Sequence, residues 1–154
     1  MRTIKFKGKC ISPKYKGKTA CGSLLTFPDG TTRIFEHDHD KVFNYYSVDP
    51  DTVCQFTGLL DKKGKEIYEG DVLIGKRSNF PIPLWKSHDV YGVIGFDQEM
   101  ASFSMQEFFL LTDELNGTSN AYGHLFTQRG ISNYEVIGSI HDKEWKEKLN
   151  LKDE

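Results

Sequence analysis

The residues best equipped for chemistry are concentrated in His37-Asp38-His39-Asp40. On an extended strand, positions two apart share a face, so His37 and His39 could aim two imidazoles at one metal ion. His88, His124 or the His141-Asp142 pair would have to complete the coordination, since imidazole and carboxylate are generic ligands. Such a centre would suit a metal-dependent hydrolase. Nothing in the spacing brings the other histidines near, so a solvated polar loop between strands is the better reading, with no cofactor. Gly17-Lys18-Thr19 imitates the end of a phosphate-binding loop, but Ser12 stands where its first glycine belongs, and strand-loop-helix context is missing. Nucleotide hydrolysis is thereby excluded. Cys10, Cys21 and Cys54 are odd in number, with no C-x-x-C spacing, and fit reduced intracellular thiols. Cys10 falls on the apolar face of its strand and reads as a packed thiol rather than a nucleophile. The pairs Glu69/Asp71 and Asp97/Glu99 read as solvated groups at turns and strand ends. No catalytic constellation emerges, and the protein is expected not to be an enzyme.

Binding is better represented than catalysis. Residues 1–28 contain Arg2, Lys5, Lys7, Lys9, Lys14, Lys16 and Lys18 and no acid, whereas residues 87–135 contain seven acids and only Arg129. A formal net charge of −2 therefore conceals a dipolar chain. Lys5, Lys7, Lys9, Lys14, Lys16 and Lys18 are candidate contacts for a partner, or for nucleic-acid phosphates with Tyr15 stacking on a base. Lysines on an exposed edge strand, or lysines paired with the acidic segment, would account for the same pattern without a ligand. The whole-chain pI of about 6.2 lies well below the ~9 of typical nucleic-acid-binding domains, which favours a protein partner.

The elements that must hold these residues are strands. The chain of 154 residues has three alanines against 47 Val, Ile, Thr, Phe, Tyr and Trp, which excludes an all-α fold. Ile4, Phe6, Gly8 and Cys10 alternate with Lys5, Lys7 and Lys9. Leu24–Phe27, Pro28-Asp29-Gly30 and Thr31–Phe35 spell a hairpin. Asp49-Pro50-Asp51 is a turn between the aromatic stretch Val42–Tyr46 and the strand-like Thr52–Thr57. Asp61–Lys65 is a second polar turn, followed by strands at 71–74, 90–96 and 134–140. Gly92, Gly95 and Gly138 inside short strands suggest a small, strongly curved barrel. Ala101–Gln106 reads as a strand, and the capping box Ser104-x-x-Glu107 predicts a short helix near Glu107–Leu115. Residues 116–132 read mostly as loop, and Asp142 caps a helix over Lys143–Leu149. No apolar run approaches the ~18 residues of a membrane span and no signal-peptide segment opens the chain, so no membrane partner and a cytoplasmic location are expected.

Tyr46-Ser47-Val48-Asp49-Pro50-Asp51-Thr52-Val53-Cys54-Gln55-Phe56-Thr57-Gly58-Leu59, followed by Asp61–Val72, resembles the signature of the YopX family of phage and prophage proteins. Ile4–Lys9 and Tyr134–His141 are similar to that family's two ends, and residues 76–133 match least. The resemblance implies an SH3-like β-barrel roll and a phage or prophage origin in a bacterial host. It carries no reaction or ligand, so no catalytic residue transfers.

The expectation is a mainly β, single YopX-like domain: an N-terminal β segment over 1–57, an SH3-like barrel over 58–140 and a short C-terminal helix over 141–154. Its core should contain Ile4, Phe6, Leu24, Val53, Phe56, Val72, Ile74, Val93, Ile94, Phe96, Val136, Ile137 and Ile140. Its expected role is a non-catalytic module binding a host or phage protein. Nucleic-acid binding through the basic N-terminal strand is the alternative. Small-barrel edges and opposed charge concentrations also predict a homo-oligomer.

Overall fold

The computed structural model describes residues 3–37, 43–77, 88–111, 114–121 and 127–149. They are mainly β, with two antiparallel arrays and one short helix. The chain divides into two compact units, Met1–Gly58 and Leu59–Glu154.

In the first unit the strands are β1 (Phe6–Lys9), β2 (Thr19–Thr26), β3 (Thr32–His37), β4 (Phe43–Ser47) and β5 (Cys54–Leu60), in the spatial order β4-β3-β2-β1-β5. The expected hairpin is present, with Thr26 opposite Thr32 and Asp29 accepting the Thr31 N–H at 2.8 Å across the turn. One helical turn at Pro50–Thr52 is capped by the Asp49 carboxylate, which accepts the Asp51 N–H. Cys10 bridges Val48, Ile11 N donates to Ser47 O, and Asp49 N donates to Lys9 O. These bonds curl the end of β1 toward the end of β4. Cys10, Ala20, Ile34, Tyr46 and Val48 form the enclosed core, flanked by Phe6, Tyr15, Leu24 and Val53.

The second unit takes over the end of β5, which turns into β6 (Glu66–Tyr68). Its sheet contains β7 (Asp71–Arg77), β8 (His88–Asp97), β9 (Ser102–Leu111), β10 (Glu114–Ala121) and β11 (Glu135–Ser139), in the order β10-β9-β8-β7-β11. β10 and β11 are its two edges, so the described strands do not close into a barrel. Ile67, Leu73, Ile94, Met105, Ile131, Tyr134 and Val136 form the core. Each fully buried Ile or Leu there contributes roughly 1.5–3 kcal/mol of transfer free energy. The turn between β5 and β6 is organised by buried Asp61. Its Oδ1 accepts the N–H groups of Lys63 (2.7 Å) and Lys65 (2.8 Å), and its Oδ2 accepts Val136 N–H at 3.1 Å. One carboxylate thus shapes a turn and ties it to β11. Gly64 has φ 81°, a left-handed geometry this tight turn requires.

Several expectations change. The helix near Glu107–Leu115 is absent: β9 runs through Leu111, held by eight cross-strand pairs to β8 from Val90↔Phe109 to Asp97↔Ser102. Non-local pairing overrides the local capping signal, and Glu107 is buried with Tyr134 Oη donating to it at 2.9 Å. Part of the expected 116–132 loop is strand β10. Ile4, Phe96 and Ile137 are exposed by 64%, 46% and 38% rather than buried. Ile4 precedes the first paired residue of β1, and Phe96 sits near the end of β8 with its ring edge-on to Phe103. The β7–β11 register shifts between Val136 and Gly138, which leaves Val136 inward and Ile137 outward. Two of the three strand glycines answer to local crowding, and Gly95 does not. A Cβ on Gly92 would lie 2.5 Å from Met105 Sδ, and one on Gly138 would lie 2.2 Å from Trp145 Nε1. The helix α1 (Lys143–Lys148) stands where expected, with Trp145 buried. Asp142 occupies its N-cap, but the carboxylate accepts Ser139 N–H rather than an N–H of the helix.

Candidate interaction face

The six candidate lysines stand in different settings. β1 lies between β2 and β5, with Lys7 opposite both Cys21 and Cys54, so Lys5, Lys7 and Lys9 do not guard a sheet edge. All three are half-buried, and Lys5 Nζ lies 5.2 Å from the Phe56 ring centroid. Lys14 and Lys16 are exposed on the turn after β1, where Lys14 Nζ sits 5.1 Å from the Tyr15 ring. Lys18 has a structural post: its ammonium is 3.9 Å from the Tyr46 centroid and 3.2 Å from Glu36 Oε2. Hydrogen bonding to Tyr46, and then to Glu36, holds that ammonium above the ordinary lysine range. Tyr15 packs edge-on against Tyr46 with centroids 5.0 Å apart, as part of the core wall.

Register brings a different group of side chains together. Ser23 faces Phe35 and Phe35 faces Tyr45, while Leu25 faces Arg33 and Arg33 faces Ser47. Directly opposed residues share a face, so Leu25, Arg33, Phe35 and Tyr45 lie on one side of the sheet, opposite the core residues Ile34 and Tyr46. The Arg33 guanidinium carbon is 4.9 Å from the Phe27 centroid and 5.2 Å from that of Tyr45. Phe35 and Tyr45 approach at 5.9 Å between centroids. Arg33 Nε is buried without a hydrogen-bond partner, so aromatic faces supply this cation's local stabilisation. Tyr45 is 58% exposed and Leu25 45%. Asp29, at the hairpin tip, has its carboxyl held below the ordinary range by hydrogen bonds from Thr31 and, to a smaller extent, by the charge of Arg33. The sequence reading passed over this group, although the hairpin turn and period-two alternation do pair Leu25 with Arg33.

The other candidates have structural surroundings. His39 lies outside the described residues; His37 ends β3, opposite Phe43. Among the described residues no group of three or more His, Cys, Asp or Glu is arranged to hold a metal ion. Burial pushes the Cys10 thiol up from its ordinary range, and Cys54 Sγ lies 3.5 Å from Thr52 O. Asp71 is buried at the start of β7 and accepts Tyr68 N–H at 2.8 Å. Gly17-Lys18-Thr19 leads into strand β2, not a helix. In the second unit a groove of about 500 Å³ is lined by Lys62, Ile74, Gly75, Lys76, Asp89, Ser132 and Asn133. Lys62 there is bridged to Glu135 at 2.9 Å. Among the described residues no helix is long and apolar enough to cross a membrane.

No curated protein matches the chain. Among solved structures it is similar to the crystal structure of protein EF1440 from Enterococcus faecalis, with 18% identity, 97% of this chain and 99% of that chain covered, and a TM-score of 0.43. The turn-forming Asp49, Asp61 and Asp71 all stand inside residues 18–144, which match the family model described as YopX protein; the chain belongs to the YopX family.

Proposed function

We propose that this protein is a non-catalytic interaction module that engages a host or phage macromolecule in the bacterial cytoplasm through the outer face of β2, β3 and β4. The observation that carries this reading is exposed Leu25 and Tyr45 on one face with half-buried Arg33, backed by Phe27 and Phe35. Aromatic residues and arginine are enriched where partners bind, because they bury large area with little loss of side-chain freedom. The SH3-like roll implied by the family resemblance belongs to this proposal as the scaffold of the second unit. The sequence-based preference for a protein partner rested on whole-chain charge, and that charge is divided. Residues 1–58 contain nine Lys and Arg against six Asp and Glu, while residues 59–154 contain eleven against sixteen. The partner's class is therefore set by the local face. Affinity purification of the tagged chain from infected or lysogenic cells tests the module reading. A stoichiometric partner lost on Leu25→Asp and Tyr45→Ala supports it. Metal-dependent hydrolysis abolished by His39→Ala, with the fold intact, overturns it.

A further inference from the structure

Building on that module reading, we infer that the outer face of β2, β3 and β4 is a stacking platform for single-stranded nucleic acid. Proteins that bind single strands without reading sequence combine exposed aromatic rings with nearby cations, each stacked base contributing about 1–3 kcal/mol. Tyr45 supplies an exposed ring on β4, and Phe35 a second ring directly across on β3. Arg33 stands between Phe27 and Tyr45, where its charge is delivered within a few ångströms of the ring a base would cover. Lys7, on β1, shares this face through its pairing with exposed Cys21. β1 lies three strands from β4 in the sheet order, and the two also meet where Cys10 bridges Val48, so the face is curved rather than flat. A short strand crossing the sheet would stack bases at Tyr45 and carry its phosphates toward the lysine. Charge complementarity also favours this occupant, since the unit holding the face has the chain's cationic excess. A duplex is excluded as the ligand because its bases already stack on one another and offer no open ring face.

The test is fluorescence anisotropy of the full chain with labelled oligothymidylate and oligouridylate of about 16 nucleotides, over a range of salt concentrations. Binding should weaken steeply as salt rises. Tyr45→Ala should lower affinity about five- to a hundred-fold, while Tyr45→Phe should retain most of it. Arg33→Gln should flatten the log–log salt slope by about 0.7, the share of one phosphate contact. Circular dichroism and thermal melting of each variant exclude unfolding as the cause. Absence of binding at low salt, or binding unchanged by both Tyr45→Ala and Arg33→Gln, overturns the inference. A nuclease-resistant protein partner lost on Tyr45→Ala would also overturn it, while leaving the module reading in place.

Discussion

Buried Asp61 accepts three backbone N–H groups, two within its own turn and one from β11. Burial by itself would raise its carboxyl, but three backbone N–H donors, from Val136, Lys65 and Lys63, outweigh that and hold it below the ordinary range. A carboxyl lowered in the folded state contributes stability that is complete above the unfolded value of about 3.9 and fades as pH falls through the folded value. Thermal melts should therefore show a loss of stability below about pH 4, and Asp61→Asn should remove part of it. Asp61→Ala should cost about 1–3 kcal/mol at neutral pH, because buried N–H groups would lose their acceptor. Urea titration at pH 7 checks this; an unchanged midpoint would refute the assigned role. Thiol accessibility offers a second check at the same scale. Cys21 is exposed while Cys10 and Cys54 are buried, so a thiol reagent should modify one cysteine rapidly and the other two only on unfolding.

Among the elements, β11 and α1 are coupled through a gap left by a missing side chain. Gly138 lies where the Trp145 indole packs, and an added Cβ would meet Nε1 at 2.2 Å. Gly138→Ala should destabilise by about 1–3 kcal/mol, as overpacking does, and should shift tryptophan emission as the indole moves. Gly95→Ala is the matched control, since nothing lies within 4 Å of its would-be Cβ. Equal costs for the two substitutions would show that strand glycine itself, not the tryptophan, sets the effect. The hairpin of β2 and β3, the 61–65 turn and α1 were legible because turn residues and short-range periodicity act within a few positions. The β9–β10 segment was not, because Ser104 and Glu107 carry a valid helix-start signal. The competing pairs lie on β8, from Asp97↔Ser102 beside the turn to Gly92↔Glu107 and Val90↔Phe109 farther along the strands.

For the whole molecule, charge is the organising quantity. An excess of cations in residues 1–58 and of anions in residues 59–154 predicts salt-sensitive self-association. Light scattering should return a mass above 17.6 kDa at low ionic strength, falling toward it as salt screens the opposed charges. A monomeric mass at low salt would remove that expectation. The same division explains why the net value of −2 is a poor guide to the chemistry of one face.

The β class, the family, the hairpin turn and the terminal helix were legible in the residues alone, because each is written in alternation, turn chemistry or a contiguous signature. Period-two alternation also puts Arg33 and Phe35 on one face once β3 is a strand. Folding in three dimensions sets Phe27 and Tyr45 beside Arg33, ties Lys18 to Glu36 and Tyr46, and makes β1 interior to its sheet. Those facts depend on which strands pair and in what register. Register is a collective outcome of burying one face of every strand at once, so no local stretch of residues specifies it.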